Sequence, residues 1–311
     1  MTRSFIENLQ RALAGKVLEN EPLSRHTTWR VGGPARIFIV PADGRDLLKA
    51  LALLGEAKVS WLPLGAGSNL LVRDGGVKGA VIHTVALREM QQEEGGMVRA
   101  GGGLPLMTLI RETSRRGLAG LEALSGIPGT VGGAVAMNAG SGGQELSGVV
   151  RSVTLAGEEG EEEWSAARLN FGYRSSALPG DRVVTAVQMR FRPAEAAELA
   201  REMSTRIALR KDAQSVGAPN AGSVFKNPPG LSAWRLIDEA GLRGLTSGGA
   251  MVSRKHANFI VNRGGATARD ILELIDRIRE TVLKQTGIEL ETEVRIVGEV
   301  TNTGERIQEK G

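Results

Sequence analysis

The sequence of 311 residues contains no cysteine, and aromatic residues make up only 4% of it. The absence of cysteine excludes disulfide bonds, thiolate metal sites and a cysteine nucleophile. With so few aromatic rings, the cores must consist mainly of leucine, valine, isoleucine and alanine. The sequence also lacks a secretory signal and an apolar run of membrane-spanning length, so we expect a cytoplasmic protein without membrane insertion.

A large excess of charge of one sign is also missing, since 39 basic and 35 acidic residues leave a net charge of +4. This excess does not predict nucleic-acid binding, but it permits an anionic substrate and a phosphorylated coenzyme. The three histidines and the acidic residues show no metal-ligand spacing, so we predict no catalytic metal. The sequence contains no internal repeat and no low-complexity segment.

Glycine is abundant in one stretch, Gly117–Gly143, where it takes nine of 27 positions. The other residues of this stretch are small or apolar, apart from the single charge of Glu122. Because glycine loses much backbone entropy on folding, a folded segment this rich in it serves tight turns or a close approach of backbone to a ligand. The composition favours a buried backbone that surrounds a ligand, with a turn-rich core segment as the alternative.

A second glycine segment, Pro63–Val72 (PLGAGSNLLV), offers successive backbone N–H groups, a hydroxyl and an amide. Such a nest suits a pyrophosphate group. Leu70 occupies the position of the third glycine of the dinucleotide fingerprint, and a turn follows instead of a helix, so a Rossmann domain is disfavoured. Two such segments are more than a mononucleotide needs, and the apolar residues of the first could line a flat ring system.

Short strands, glycine turns and few helices predict a mixed α+β pattern without a regular βαβ repeat. We expect an N-terminal helix over residues 1–20 and a C-terminal domain over residues 193–311. Residues 21–192 between them are expected to form one domain with two lobes, about 21–85 and 86–192.

Two elements of the C-terminal domain are marked most clearly. Apolar residues at helical spacing predict a helix over residues 267–284, with Thr267 and Asp270 as a capping pair. Alternation of apolar and charged residues predicts a strand over residues 288–297.

Five motifs follow one another along the chain. They are PLGAGSNLLV (63–72), SGIPGTVGGAVAMNAG (125–140), FGYRSS (171–176), AGSVFKNP (221–228) and ETEVRIVGE (291–299). Together they resemble the UDP-N-acetylenolpyruvoylglucosamine reductase family over Leu23–Glu299, nearly the whole chain. The resemblance implies an α+β fold with a two-lobed FAD-binding domain of the vanillyl-alcohol oxidase (PCMH) type and a C-terminal α+β substrate-binding domain.

The resemblance also implies a noncovalently bound FAD, with its pyrophosphate in the GAGSN nest and the second motif along the cofactor. The implied cofactor residues are Gly65, Ala66, Gly67, Ser68, Asn69, Ser125, Gly126, Ile127, Gly129, Thr130, Gly132 and Gly133. NADPH would be the reductant, and a UDP-sugar carrying an enolpyruvyl group would be reduced to UDP-N-acetylmuramate. This reaction would place the chain in peptidoglycan synthesis, and so in cell-wall biogenesis, cell shape and cell division.

Three residues match catalytic positions of the family. By this match, Ser223 would donate a proton to the substrate, while Arg174, with Glu293 opposite it, would stabilise an enolate-like intermediate. The residues alone leave other interpretations open: a turn hydroxyl for Ser223, a surface arginine for Arg174 and a solvated strand face for Glu293. With five motifs in order, we favour the catalytic interpretation for all three.

The resemblance also implies substrate contacts for five further residues, which are Tyr173, Lys211, Asn227, Arg243 and His256. The tyrosine and the asparagine would face the sugar nucleotide, and the lysine and the arginine would face phosphates. The histidine would lie at the edge of the substrate or serve the structure. We expect the protein to be a monomer.

The chain looks like the shorter subtype of the family. Only 49 positions separate Arg174 from Ser223, which leaves no room for the tyrosine-bearing substrate loop of some members. Two other functions remain open. One is a related FAD-dependent oxidase or dehydrogenase acting on a hydroxy acid or sugar, and the other is a nucleotide-sugar binding module without catalysis.

Overall fold

Helices and strands are mixed along the chain, as the sequence predicts. The computed structural model describes residues 3–214 and 216–301, so residues 1, 2, 215 and 302–311 of the predicted N-terminal helix and C-terminal domain lie outside the described residues. The α-helices are α1 (Arg3–Ala12), α2 (Gly44–Glu56), α3 (Leu106–Arg115), α4 (Val131–Ala136), α5 (Ala196–Gln214), α6 (Ala233–Glu239) and α7 (Ala268–Thr286). The β-strands are β1 (Lys16–Pro22), β2 (Pro34–Val40), β3 (Trp61–Leu64), β4 (Leu70–Val72), β5 (Val77–His83), β6 (Met90–Gln92), β7 (Met97–Gly101), β8 (Leu118–Ala119), β9 (Gly140–Ser141), β10 (Gln144–Glu145), β11 (Val150–Gly157), β12 (Gly160–Ser165), β13 (Val183–Arg190), β14 (Arg192–Pro193), β15 (Thr246–Ser247), β16 (Ala250–Val252), β17 (Ile260–Asn262) and β18 (Arg295–Val297).

The described residues fall into two compact units. The first unit comprises the described residues of Met1–Glu19, Ile37–Ser68 and Gly79–Ser215, and the second comprises those of Asn20–Arg36, Asn69–Lys78 and Val216–Gly311. None of the described helices is both long enough and apolar enough to cross a lipid bilayer. The domain limits expected from the sequence stay a prediction.

A five-stranded antiparallel sheet, in the order β12-β11-β13-β7-β6, is the main layer of the first unit. Its central strand β13 is buried along nearly its whole length. Apolar side chains of α3 and α4, such as Leu109 and Val135, share a core with Val187 of that strand. A second core of the same unit contains Leu9 of α1 and Leu51 of α2. Helical periodicity therefore directs one face of each helix into a core.

The predicted helix over residues 1–20 is shorter in the structure, because α1 ends and β1 begins well before residue 20. Between them, the N–H groups of Ala14 and Gly15 donate to the carboxylate of Asp46 at 2.8 and 2.9 Å. A Cβ added to Gly15 would lie 2.1 Å from the carbonyl oxygen of Val40. This close approach to β2 requires glycine and ends the helical segment.

The second unit contains the three-stranded antiparallel sheet β15-β16-β17 and the helices α6 and α7, which share one core. The predicted helix over 267–284 is confirmed as α7. Thr267 and Asp270 form the capping box, and Gly287 ends the helix in the left-handed conformation with φ 72°. Trp29 is fully buried in this core, and its Nε1 donates to the carbonyl of Ile260 at 2.7 Å.

The predicted strand over 288–297 is regular only at its end, where β18 pairs in parallel with β4. Before that, its backbone binds a loop, as the N–H of Glu293 donates to the carbonyl of Val224 at 2.7 Å. Because this loop is irregular, the segment before β18 cannot pair with it along a continuous β-ladder. The alternation nevertheless persists, because Leu290 and Val294 are buried between exposed or half-buried neighbours.

Helix α4 is not predicted by the sequence pattern of its segment. It contains the pair Gly132-Gly133, and glycine is a poor helix former. The helix forms because Thr130 caps it, accepting the N–H of Gly133 at 3.3 Å, and because Val131, Ala134 and Val135 are buried.

Asp74 stabilises the start of α7, since its carboxylate accepts the N–H groups of Ala268 at 2.8 Å and Arg269 at 3.0 Å. We expect Asp74→Ala to lower the free energy of unfolding by about 1–2 kcal/mol, because two N–H groups of the first turn lose their acceptor. The control Asp276→Ala removes a negative charge from an exposed position of α7 itself. It should change the free energy of unfolding by less than about 0.5 kcal/mol. Urea titration followed by circular dichroism measures both variants, and equal losses would contradict the capping role.

Candidate active site

The two glycine segments of the sequence lie side by side in the first unit. The hydroxyl of Ser68 donates to the carbonyl of Pro128 at 3.0 Å. A Cβ added to Gly65 would lie 2.5 Å from Oγ1 of Thr130, and one added to Gly129 would lie 3.4 Å from Oγ of Ser68. Segments about 60 residues apart in sequence therefore meet at glycine positions, through the small side chains of Ser68 and Thr130.

The nest itself presents unused backbone donors. Among the described residues, the N–H groups of Ala66, Gly67 and Ser68 have no hydrogen-bond acceptor. Gly67 is buried and has a φ of 59°, which a residue with a side chain adopts at a cost. Of the three, only Gly67 is buried, and a buried N–H group is nearly always paired. Three successive N–H groups of this kind suit an anionic ligand such as a diphosphate.

The second segment carries a further unpaired polar group. Ser125 is fully buried, and its hydroxyl has no hydrogen-bonding partner within the described part of the chain. The next residue, Gly126, has a φ of 85° and donates its N–H to the sulfur of Met107 at 2.9 Å. A buried hydroxyl without a partner is costly unless a ligand supplies one. The residues present therefore fit the FAD that the resemblance implies.

The two glycines of α4 differ in their surroundings. A Cβ added to Gly132 would lie 3.0 Å from the carbonyl oxygen of Gly102 and 3.2 Å from Cβ of Val184. Close packing inside the protein therefore explains glycine at this position. A Cβ added to Gly133 would meet only Oγ1 of Thr130, at 3.4 Å, among the described atoms. Gly133 therefore has open space beside it, as a residue next to a cofactor needs. The cofactor-binding roles of Gly133, Gly132 and Ile127 stay predictions.

Arg174 lies in a tight turn that is fixed to the end of the glycine-rich stretch. Its φ is 53°, an uncommon conformation for arginine, and its Nη2 donates to the carbonyl of Gly140 at 2.8 Å. The buried amide of Asn138 donates to the carbonyl of Gly172 at 3.0 Å and so holds the same turn. The guanidinium lies 5.0 Å from the ring centre of Tyr173, which is 47% exposed. This turn places the predicted arginine and tyrosine together.

Arg210 on α5 is a residue of this region that sequence reasoning missed. Its Nη2 donates to the hydroxyl of Ser141 at 3.1 Å, and its Cδ lies 2.9 Å from where a Cβ on Gly126 would be. Burial lowers the pKa of the Arg210 guanidinium, and the like charge of Arg174 lowers it further. The predicted Lys211 follows directly and is exposed. No sequence signal separates the two cations.

In the second unit, the predicted Ser223 and Glu293 lie on neighbouring backbone segments. An isolated antiparallel bridge joins Phe225 and Thr292. The half-buried hydroxyl of Ser223 has no hydrogen-bonding partner among the residues that the structure describes, and its predicted catalytic role stays a prediction. The buried amide of Asn258 fixes this loop, accepting the N–H of Phe225 at 2.9 Å and donating to its carbonyl at 2.8 Å.

Asn69, a predicted cofactor residue, belongs to the second unit with Glu293. Its side-chain amide donates to the carbonyl of Glu293 at 3.0 Å, and its own carbonyl accepts the N–H of Arg295 at 3.1 Å. The amide of Asn69 thus holds the backbone of the predicted catalytic glutamate. The ammonium of Lys226 pairs with Glu291 on the same two segments.

Arg243, predicted to face phosphates, is engaged within the second unit. Its Nε and Nη2 donate to the carboxylate of Asp238, and its Nη1 donates to the carbonyl of Arg254 at 2.8 Å. These hydrogen bonds lower the pKa of Asp238 and raise that of Arg243. The predicted Asn227 accepts the N–H of Ala233 at 3.0 Å, at the start of α6.

His256 lies between aromatic rings, with its ring centre 4.5 Å from that of Phe259 and 6.4 Å from that of Trp234. Its Nδ1 is buried and has no partner among the described atoms. Burial lowers the pKa of His256, and the charge of Arg243 adds to this effect. The described residues include no group of three or more histidine, aspartate or glutamate side chains placed to hold a metal ion.

Comparison with known proteins divides the chain into two matched regions. Residues 35–164 match the family model of an FAD binding domain, and this region contains both glycine segments. Residues 214–297 match that of the UDP-N-acetylenolpyruvoylglucosamine reductase C-terminal domain, which here contains Ser223 and Glu293. The predicted fold class, α+β with an FAD-binding domain of the vanillyl-alcohol oxidase type, is confirmed.

Full-length relatives agree with these matches. The UDP-N-acetylenolpyruvoylglucosamine reductase of Syntrophotalea carbinolica is 57% identical over 279 residues, covering 90% of this chain and 93% of the relative. The reductase of Heliobacterium modesticaldum is 46% identical over 294 residues, covering 94% of each chain. The crystal structure of the reductase from Thermus caldophilus is similar, with a TM-score of 0.78 and 38% identity, and covers 91% of this chain and 99% of its own. The chain therefore belongs to the UDP-N-acetylenolpyruvoylglucosamine reductase family.

Proposed function

We propose that this chain reduces UDP-N-acetylglucosamine enolpyruvate to UDP-N-acetylmuramate, with noncovalently bound FAD as cofactor and NADPH as co-substrate. The reaction would supply a peptidoglycan precursor in the cytoplasm. The observation that carries the proposal is the contact between the two glycine segments at Ser68 and Thr130, combined with the hydroxyl of Ser125, which has no partner among the described residues. The names of the relatives support the choice of substrate.

FAD, when bound, supplies the chemistry of hydride transfer between NADPH and the enolpyruvyl group. The role of the protein is to hold the cofactor. The N–H groups of Ala66, Gly67 and Ser68, which have no acceptor among the described residues, are suited to its diphosphate, and the hydroxyl of Ser125 is suited to one of its polar atoms. Gly133 leaves room beside α4.

Ser223, Arg174 and Glu293 would act on the substrate. When a hydride adds to one carbon of the enolpyruvyl double bond, negative charge develops on the carboxylate side, and a proton must reach the other carbon. Ser223 would donate this proton from its unpaired hydroxyl and recover one from water. The guanidinium of Arg174, held in a fixed turn, would stabilise the developing charge without reorganisation. Glu293 would help to position the reacting group.

Oxidation of NADPH that depends on the enolpyruvyl sugar nucleotide tests the function. We expect an equimolar formation of UDP-N-acetylmuramate. Turnover of a hydroxy acid or a sugar instead would indicate the related oxidase or dehydrogenase. A colourless protein that binds the sugar nucleotide without turnover would indicate a binding module.

The purified protein should be yellow and carry about one FAD per chain, in line with a single nucleotide site of this kind. Neither glycine segment contains a histidine or cysteine to which a flavin could be attached. We therefore expect acid precipitation to release the whole cofactor into the supernatant. Flavin absorbance that stays with the precipitated polypeptide would contradict noncovalent binding.

Gly133→Val should reduce the FAD content strongly and leave the fold intact, because the new side chain occupies only the open space beside α4. Gly132→Val should instead lower the free energy of unfolding, because its side chain meets the backbone of Gly102. Gly148→Val is the control, since no described atom lies within 4 Å of its Cβ position. The ratio of flavin to protein absorbance and a thermal melt separate the three variants. A Gly133→Val protein with full FAD content would show that the cofactor lies elsewhere.

Ser223→Ala should slow the oxidation of the reduced enzyme by the enolpyruvyl substrate by about a hundredfold or more, the usual effect of losing a positioned acid. Reduction by NADPH should be nearly unchanged, because no proton from serine is needed in that half-reaction. The control is Ser232→Ala, whose side chain makes no capping hydrogen bond. Stopped-flow absorbance at the flavin band follows each half-reaction separately. Equal slowing of both half-reactions would remove Ser223 from the role of proton donor.

A further inference from the structure

Three arginines of the first unit approach the consecutive residues Gly140–Gly142. Arg174 donates to the carbonyl of the first residue at 2.8 Å, and Arg210 donates to the hydroxyl of the second, Ser141, at 3.1 Å. Nη1 of Arg206 lies 2.8 Å from where a Cβ on the third would be. A cationic cluster thus borders the glycine-rich stretch.

The three cations differ in their acidic neighbours. Arg206 pairs with Glu202 at 3.1 Å, one turn earlier on α5. Nη1 of Arg174 and the aliphatic Cγ of Glu145 lie 3.0 and 2.9 Å from the position of a Cβ on residue 140, and the carboxylate of Glu145 accepts from Asn138. Arg210 has only neutral partners among the described residues, the hydroxyl of Ser141 and, at 3.0 Å, the side-chain carbonyl of Gln214.

A partly buried guanidinium without a carboxylate costs free energy, and a second cation beside it raises that cost. The lowered pKa of Arg210 has these same two causes, burial and the charge of Arg174. An anion would relieve both effects. The planar fork of arginine matches the two oxygens of a carboxylate or a phosphate.

We propose that Arg210, together with Arg174, binds an oxyanion of the sugar-nucleotide substrate. The inference rests on the proposed function, since that substrate carries two such groups, the enolpyruvyl carboxylate and the diphosphate. The hydrogen bond to Ser141 orients the guanidinium, and the chain conformation at Gly126 leaves room for its stem. Arg210 would thus add a second cation to the charge that Arg174 provides.

The test compares Arg210→Met with the control Arg206→Met in the FAD-loaded enzyme. Methionine keeps most of the apolar stem and removes only the charged fork. The control removes an arginine of the same helix that already has a carboxylate partner. Calorimetry measures the affinity for three probes: UDP-N-acetylglucosamine enolpyruvate, UDP-N-acetylglucosamine, which lacks the carboxylate, and NADP⁺. A thermal melt without ligand measures stability.

Arg210→Met should weaken binding of the enolpyruvyl probe about ten- to a hundredfold, as expected for a lost charged hydrogen bond. Binding of NADP⁺ should stay unchanged, and the melting temperature without ligand should stay unchanged or rise. If only the enolpyruvyl probe is affected, the oxyanion is the carboxylate. If UDP-N-acetylglucosamine is affected equally, it is the diphosphate. Arg210→Lys, which restores the charge but not the fork, should recover part of the affinity.

Three outcomes would overturn the proposal. They are unchanged affinity for both sugar nucleotides, an equal loss in Arg206→Met, and weaker binding of all three probes together with a lower melting temperature, which indicates a structural role. Failure of the proposed function is distinguishable from these. In that case the wild-type enzyme binds the probes but does not oxidise NADPH when the enolpyruvyl sugar nucleotide is added, whereas the effect of Arg210→Met on binding persists.

Discussion

Close approach of neighbouring residues at glycine positions is the constraint on which the first unit depends. Gly65 lies against Thr130, and Gly132 lies against Gly102, so that a single Cβ at either glycine would overlap its neighbour or press against it. Such contacts leave little space that is not filled by protein. The space that remains, beside Gly133 and around the N–H groups of Ala66 to Ser68, is then bounded by closely packed backbone and by the small side chain of Thr130.

In the second unit, the buried side-chain amide of Asn258 fixes the loop that carries Ser223. Asn258 satisfies both backbone groups of Phe225, two residues after Ser223. Because a buried amide is strongly penalised when it loses its partners, these hydrogen bonds favour the present conformation of the loop. The amide of Asn69 fixes the backbone of Glu293 in the same way. The hydroxyl and the carboxylate that are proposed to act on the substrate are therefore positioned by hydrogen bonds to the backbone beside them.

The sequence predicts these features to different extents. Helix α7 follows from local signals alone, namely the capping pair and the apolar stripe, which are independent of the rest of the chain. Helix α4 does not, because its two glycines disfavour a helix until Thr130 and the surrounding core stabilise it. The motifs predict the family, the fold class and the glycine segments. They do not predict Arg210, because its distinctive property, partners that are all neutral within the described part of the chain, exists only after folding places residues 141 and 174 beside it.

The scarcity of aromatic residues has one practical consequence. The four tryptophans are divided evenly, with Trp61 and Trp164 in the first unit and Trp29 and Trp234 in the second. Trp29 is completely shielded from water, and its indole N–H is engaged by a backbone carbonyl. Its fluorescence emission should therefore be blue-shifted and resistant to soluble quenchers. A protein that retains only this tryptophan would report optically on the core of the second unit alone, so that melting of that unit could be followed apart from melting of the first.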